Sequence, residues 1–177
     1  MSYFNIVSQS DESTVVAEYT PQSQRSEAYQ SEADLENEFI RLLCELGYER
    51  LAIHKEADLI ANLRTQLEKL NDYRFTDGEW TRFWNEVLAN SNSGILEKTR
   101  LIQEDYVQVL RRDSGESKNI QLIDKKCIHH NSLQVIHQYA ISAKEGAAHD
   151  NRYDVTVLVN GLPLFHIELK RRGVPIR

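Results

Sequence analysis

A stretch near the C-terminal end constrains the fold of this chain more than any other. From Arg152 to Arg172 it reads RYDVTVLVNGLPLFHIELKRR, with an Asn-Gly dipeptide between two runs rich in β-branched and apolar residues. Asn-Gly flanked by alternating hydrophobic residues is the strongest short-range signal for a β-hairpin. The pattern predicts two antiparallel strands, at about Tyr153–Val159 and Leu164–Lys170.

Successive side chains on a strand point to opposite faces of the sheet, so each predicted strand has an apolar and a polar face. The apolar face carries Val155, Val157, Val159, Phe165, Ile167 and Leu169. The polar face carries Asp154, Thr156, His166, Glu168 and Lys170. Two carboxylates and an ammonium group are therefore expected on one surface.

The turn must bring both apolar triplets to the same core. Residues that pair across the hairpin must then have numbers with an even sum, whereas a two-residue Asn-Gly loop gives an odd sum. The sequence therefore predicts a three- or five-residue loop, or a bulge, around Asn160–Pro163. A three-residue loop would set Asp154 directly across from Glu168.

The arrangement of Asp154 with the Glu168-x-Lys170 step resembles the catalytic hairpin of the PD-(D/E)xK nucleases. The longer string RYDVTVLVNGLPLFHIELKRRG resembles, more narrowly, the N-terminal endonuclease domain of the R (restriction, HsdR-type) subunit of type I restriction-modification enzymes. The segments ANLRTQLEKLN and RFTDGEWTRFWNEVL resemble the same family. An acidic-x-Lys step taken alone is more often a solvated sheet face, so the longer strings carry the resemblance.

The resemblance implies that Asp154, Glu168 and Lys170 are catalytic. Phosphodiester cleavage in this class needs a hard cation that polarises the phosphate and makes hydroxide available near neutral pH. Asp154 and Glu168 supply the oxygen ligands that Mg²⁺ prefers. Lys170 is a compact charge that can contact the phosphate or orient the attacking water.

The first helix is predicted to begin at Ser31, with Asp34 completing a capping box and Gly47 ending the helix. Its apolar stripe is Leu35, Phe39, Leu42, Leu43 and Leu46, with Glu36 and Glu38 on the flanks. Both Glu residues can be ordinary solvated positions, or one can reach the carboxylate cluster. The step LENEFIRLL resembles the superfamily helix whose Glu supports the site, which favours Glu36 over Glu38.

These elements predict an α+β fold with a restriction-endonuclease-like core. N-terminal helices are expected to pack on a mixed, largely antiparallel sheet that carries the hairpin 153–170. Residues 1–30 are predicted to form a polar, partly disordered arm, and residues 31–177 the endonuclease domain. Further helices are predicted at 55–70, after the Thr76 and Glu79 capping box, and at 95–102. Further strands are predicted at 106–110, 120–123 and 133–139.

Composition excludes some classes of function. A net charge of -6 argues against a free-standing, non-specific DNA binder, so DNA affinity must come from a local patch or from partners. Cys44 and Cys127 lack metal-ligand spacing and are predicted to be buried thiols in a reduced compartment. His129 and His130 are expected at the surface, and His137 in the core or on a sheet face. The absence of a signal sequence pattern or membrane-spanning apolar run predicts a cytoplasmic protein.

The resemblance also implies partners. R subunits of the family continue into two ATP-driven translocase domains and assemble with methyltransferase (M) and specificity (S) subunits on DNA. This sequence contains no GxxxxGK[ST] loop, so the motor is expected elsewhere. The family also continues after the ExK step into a helix with a Gln-x-x-x-Tyr motif. The chain is therefore expected to be an N-terminal piece of a longer protein, or a degenerate remnant.

Two functions remain open at this point. In the first, the chain is the Mg²⁺-dependent DNA endonuclease domain of a type I restriction enzyme, and only the full-length parent uses ATP. In the second, the chain is a non-catalytic docking module that binds the methyltransferase core or the motor domains.

Overall fold

The computed structural model describes residues 3–9, 15–20, 31–141 and 151–170. The chain divides into two compact units, Met1–Gln30 and Ser31–Arg177. Within the first unit, β1 (Tyr3–Gln9) and β2 (Val15–Thr20) pair as an antiparallel hairpin. The rest of the arm predicted over residues 1–30 lies outside the described residues.

The second unit contains both helices and strands, which confirms the predicted α+β class. Its helices are α1 (Glu32–Glu45), α2 (Glu56–Leu70), α3 (Asp77–Phe83) and α4 (Ile95–Gln103). Its strands are β3 (Glu49–Leu51), β4 (Val107–Arg111), β5 (Ser117–Gln121), β6 (Leu133–Ile141), β7 (Asn151–Val159) and β8 (Leu162–Ile167). A π-helical turn follows α3 at Trp84–Leu88, and a 3-10 turn at Ile128–His130 precedes β6. Among the described helices, none combines the length and the apolar character needed to cross a bilayer.

Two helix starts follow directly from the sequence. At α1, the Ser31 hydroxyl accepts the amide of Asp34 at 3.1 Å, and the Asp34 carboxylate accepts the amide of Ser31 at 3.2 Å. At α3, Thr76 and Glu79 form the same reciprocal pair. Both capping boxes satisfy backbone amides that a helix terminus leaves without partners, and both confirm the predicted starts.

The main sheet has the strand order β3-β6-β7-β8. Strand β3 runs parallel to β6, whereas β6, β7 and β8 are joined in antiparallel order. The sheet is therefore mixed and largely antiparallel, as predicted. Strands β4 and β5 form a separate antiparallel hairpin.

The turn between β7 and β8 differs from the predicted three- or five-residue loop. Val159 pairs with Leu162, so the loop has only two residues, Asn160 and Gly161, with φ of 50° and 79°. Positive φ at both positions is typical of the type I′ hairpin turn that Asn-Gly favours. The prediction of a longer loop is therefore wrong.

The predicted bulge is present, and beyond it the numbers of paired residues again have an even sum. Leu158 pairs with Pro163, but Val157 pairs with Phe165, so Leu164 is an extra residue on β8. It lies one position beyond the range in which the bulge was expected. From Phe165 onward the register is the one that the apolar pattern requires.

Each face of the sheet is covered by a helix. On one face, Ile40 and Leu43 of α1 pack with Val135, Val155 and Val157. On the other face, Leu158 and Ile136 pack with Ile53, Tyr139 and the partly buried Leu59 of α2. A further cluster joins α2, α3, β4, β5 and Leu162 of β8.

Several apolar predictions are wrong in detail. Leu42 and Leu46 were placed in the α1 stripe, but they are 44% and 75% exposed, because the helix turns Glu36, Ile40 and Leu43 toward the sheet. Phe165 is 59% exposed, whereas Ile167 of the same strand packs against the cluster of Ile40 and Leu43 of α1.

The two thiols are also placed differently from the prediction. Cys44 and Cys127 are both exposed rather than buried. Cys44 follows Leu43 on the outward side of α1, and Cys127 lies in the loop before β6. Their composition-based assignment to the core assumed that a lone Cys behaves as a small hydrophobic residue.

The hairpin turn is buried beneath α2. Asn160 is 1% exposed, and its side-chain amide donates to the Leu122 carbonyl at 3.0 Å and to Asn131 Oδ1 at 2.8 Å. Its Oδ1 accepts the amide of Ser132 at 2.8 Å. A Cβ atom on Gly161 would lie 2.6 Å from the Cα of Leu63. The turn therefore fits against the helix only with glycine at this position.

We predict that Gly161→Ala lowers the free energy of unfolding by about 2–5 kcal/mol. Left-handed backbone costs an alanine about 1–2 kcal/mol, and the contact with Leu63 adds roughly 1–3 kcal/mol of overpacking. The matched control is Gly115→Ala, since Gly115 has φ of 86° and open space around it. Urea denaturation of both variants measures the difference. Equal losses would contradict the close approach of α2 to the turn.

Candidate active site

The charged residues of the hairpin lie at its open end, opposite the turn, where β7 begins and β8 ends. The Lys170 Nζ atom is 2.6 Å from Glu168 Oε1. Asp154 Oδ2 accepts the backbone amide of Leu169 at 2.7 Å. The second strand was predicted to reach Lys170, but β8 ends at Ile167. Beyond that point, the Asp154 carboxylate takes an amide that would otherwise need a strand partner.

The electrostatics link the same groups. The hydrogen bond that the Lys170 ammonium donates to the Glu168 carboxylate is the largest influence on the pKa of Lys170 and raises it. Burial acts in the opposite direction, and the charges of Glu168, Glu32 and Asp154 each add a smaller upward effect. Lys170 therefore remains an ammonium in the presence of several carboxylates. Glu32, in the first turn of α1, was not singled out from the sequence, although it lies one helical turn before Glu36.

Glu36 contacts the sheet, but not through the hairpin carboxylates. It is 7% exposed, and its Oε2 lies 2.7 Å from His137 Nε2 and accepts the side-chain amide of Gln138 at 3.1 Å. Glu38 is exposed and pairs instead with Arg41 on the same helix. Of the two Glu residues weighed from the sequence, Glu36 is the one that faces the sheet.

Gln138, one of the two partners of Glu36, lies across the β6–β7 ladder from Asp154. The β6–β7 pairing joins His137 to Val155 and then Tyr139 to Tyr153. Between these pairs Gln138 has φ of 53°, a conformation that is uncommon for a residue other than glycine. The regular pairing of β6 with β7 is therefore interrupted at Gln138 and Asp154. Glu36 binds the side chain of Gln138 at this step.

The polar face of the hairpin contains one more ordered group. Thr156 Oγ1 lies 3.0 Å from His166 Nδ1, which confirms that these two residues share a face. The His166 ring stacks on Tyr153 with centroids 4.0 Å apart. Burial lowers the pKa of His166, so its neutral form is favoured.

The donor chemistry of Asp154 and Glu168 fits a magnesium ion. In the contacts among the residues that the structure describes, Asp154 uses Oδ2 and Glu168 uses Oε1. Mg²⁺ keeps several waters and usually takes one or two carboxylates from the protein, so two such residues at a solvent-facing end of a hairpin are sufficient. An ion there would compete with Lys170 for Glu168.

We predict that Glu36→Ala lowers the free energy of unfolding by about 1–3 kcal/mol, because it leaves His137 and Gln138 without their buried acceptor. The control is Glu38→Ala, for which we expect a change within about 0.5 kcal/mol, as for most exposed positions. Both values come from urea denaturation at neutral pH. If the two variants lost stability equally, the inward role of Glu36 would be wrong.

The fold and the site together resemble one class of domain. A mixed sheet backed by helices carries, at the end of one hairpin, two carboxylates beside a lysine. These three residues are the ones on which the sequence resemblance to the PD-(D/E)xK nucleases rests.

Comparison with known proteins identifies the family. The family model described as the type I restriction enzyme R protein N terminus matches residues 29–177. The chain therefore belongs to the family of type I restriction enzyme R protein N-terminal domains.

Individual relatives are named as endonuclease subunits of type I restriction enzymes. The EcoprrI endonuclease subunit of Escherichia coli is 43% identical over 172 residues, which are 97% of this chain and 54% of that protein. The SauMSSORF170P endonuclease subunit of Staphylococcus aureus strain MSSA476 is 39% identical over 154 residues. The SsaAORF53P subunit of Staphylococcus saprophyticus is 36% identical over 153 residues. This chain spans about half the length of the first relative and 16% of the length of the staphylococcal ones.

Proposed function

We propose that this chain is the Mg²⁺-dependent DNA endonuclease domain of a type I restriction enzyme R subunit. The observation that carries the proposal is the grouping of Asp154, Glu168 and Lys170 at the end of the β7–β8 hairpin. The relatives named as endonuclease subunits of type I restriction enzymes support it.

The residues have distinct roles in this proposal. Asp154 and Glu168 would hold Mg²⁺, and a bound ion would polarise the scissile phosphate and make hydroxide available. Lys170 places its positive charge where the negative charge of the phosphate develops during cleavage. The ammonium of Lys170 is charged near neutral pH, and its contact with Glu168 raises its pKa further.

Glu36 acts indirectly. It contacts Gln138, which stands at the interrupted step of the sheet next to Asp154. By holding Gln138 in place, Glu36 also holds β7 in place at Asp154, the residue across the ladder from Gln138. It is a positioning residue rather than a ligand.

The acidic character of the chain supports a role for partners in DNA binding. A net charge of -6 opposes unaided binding to DNA, so DNA is brought to the hairpin by other parts of the enzyme. We propose that these are the M and S subunits, with S choosing the sequence. Cleavage is then non-specific and follows ATP-driven translocation by domains outside this chain, in the cytoplasm.

The proposal is tested by replacing the matching segment of the S. aureus relative with this chain and assaying the assembled enzyme on supercoiled DNA. We expect cleavage that requires Mg²⁺ and is abolished by EDTA. Asp154→Asn, Glu168→Gln and Lys170→Ala should each reduce cleavage at least about 100-fold, in line with the loss of a charge-stabilising group from an active site. The matched control is Lys98→Ala, which removes an exposed lysine from α4.

The same assay separates the docking alternative, which rests on the exposed Leu42 and Leu46 of α1. In that case the hybrid enzyme assembles but does not cleave DNA, and Leu42→Ser with Leu46→Ser abolishes assembly with the other subunits. Cleavage that survives Asp154→Asn overturns the nuclease site.

A further inference from the structure

A second group of potential ligands lies in the loop before β6, apart from the hairpin carboxylates. Asp124, Cys127 and His130 each place one donor atom within 4.8 Å of the others. The three residues are spaced three apart, and His130 ends a 3-10 turn that Cys127 precedes. The His130 amide donates to the Cys127 carbonyl at 2.9 Å, and the Cys127 amide donates to Asp124 Oδ1 at 2.9 Å, so hydrogen bonds from backbone amides bring the three residues together. The group was not predicted from the sequence, because neither Cys127 nor His130 taken alone has a familiar metal-ligand spacing.

The geometry of the group suits a tetrahedral ion. His130 Nδ1 is 3.0 Å from Asp124 Oδ2. Two ligands bound to a tetrahedral zinc ion at typical O and N distances are roughly 3.3 Å apart. The other oxygen, Asp124 Oδ1, accepts the amides of Lys126 and Cys127 at 2.9 Å each. These bonds fix the carboxylate with Oδ2 directed at His130.

The loop that holds the group is tied to the buried hairpin turn. Asn131 Oδ1 accepts the amide of Asp124 at 2.8 Å, and Asn131 Nδ2 donates to the carbonyls of Asp124 and Ile128 at 2.8 and 2.9 Å. Asn160 donates to Asn131 Oδ1 from the buried turn at 2.8 Å. The backbone that carries the three side chains is therefore set by contacts outside the group, as in a preorganised metal site.

We propose that Asp124, Cys127 and His130 bind a single Zn²⁺ ion, with the fourth tetrahedral position open to water or to an external ligand. One thiolate sulfur, one imidazole nitrogen and one carboxylate oxygen form a donor set that favours Zn²⁺ over Mg²⁺, which takes oxygen ligands. Cys127 and His130 are exposed, so an ion can enter from solvent. This site is independent of the proposed nuclease function.

The test is a titration of the purified, reduced chain with Co²⁺ and then Zn²⁺. We expect one Co²⁺ per chain, the absorption of a thiolate-to-cobalt charge transfer, the visible bands of a tetrahedral complex, and displacement by Zn²⁺. Cys127→Ser should abolish the charge-transfer absorption. His130→Asn and Asp124→Asn should weaken Zn²⁺ binding by at least about 10-fold, since even second-shell changes have effects of this order. Cys44→Ser and His129→Asn are the matched controls and should bind Zn²⁺ as the parent does.

A second measurement covers the case in which a variant folds poorly: the thermal unfolding midpoint of the parent chain and of each variant, with and without Zn²⁺. Zn²⁺ should raise the unfolding midpoint of the parent chain, of Cys44→Ser and of Asp154→Asn, because an ion that binds only the folded state stabilises it. It should not raise the midpoint of Cys127→Ser. The proposal is overturned if Zn²⁺ does not stabilise the parent chain, if Cys44→Ser removes the charge-transfer absorption, or if Asp154→Asn removes the stabilisation. In each case the Asp124–His130 contact is an ordinary hydrogen bond.

Discussion

The buried turn at Asn160 and Gly161 is the contact on which the rest of the domain depends. Hairpin turns usually lie at the surface, where water satisfies their polar groups. Here the Asn160 side chain takes the place of water, with bonds to Leu122, Asn131 and Ser132. Because Gly161 lies directly against α2, the turn has a fixed position. The hairpin is therefore anchored at one end and carries its charged residues at the other.

The pleat of the sheet could be predicted from sequence, but the geometry of the turn could not. The apolar triplets around Val157 and Ile167 required an even register, and the structure has it. A longer loop and a bulge both shift pairing by one residue, so the pattern alone does not separate them. The local preference of Asn-Gly for a two-residue turn decided the outcome, and Leu164 absorbed the shift.

The orientation of α1 is a second feature that the sequence pattern could not predict. Counting leucines placed Leu42 and Leu46 toward the core, but they face outward. The helix is turned by Glu36, whose partner His137 is 101 positions away in the chain. A buried carboxylate needs such a partner, and hydrophobic periodicity carries no information about it. The same limit explains why Glu32 and the contact of Asp154 with Leu169 were missed, since both depend on where distant elements end. Cys127 and His130 gave a local signal, their spacing from Asp124, but its meaning depended on the Asn131 contacts.

The parallel pairing of β3 with β6 has a consequence for the order of folding. Strands β6, β7 and β8 are close in sequence and join by antiparallel pairing, so their contacts close short loops. Strand β3 has only three residues and meets β6 across a segment that includes α2, α3 and α4. So few ladder bonds offset little of the entropy lost in closing that long loop. We expect β3 to join the sheet only after α2 has settled on the glycine turn, which makes the three-strand meander the early structure and the parallel edge the late one.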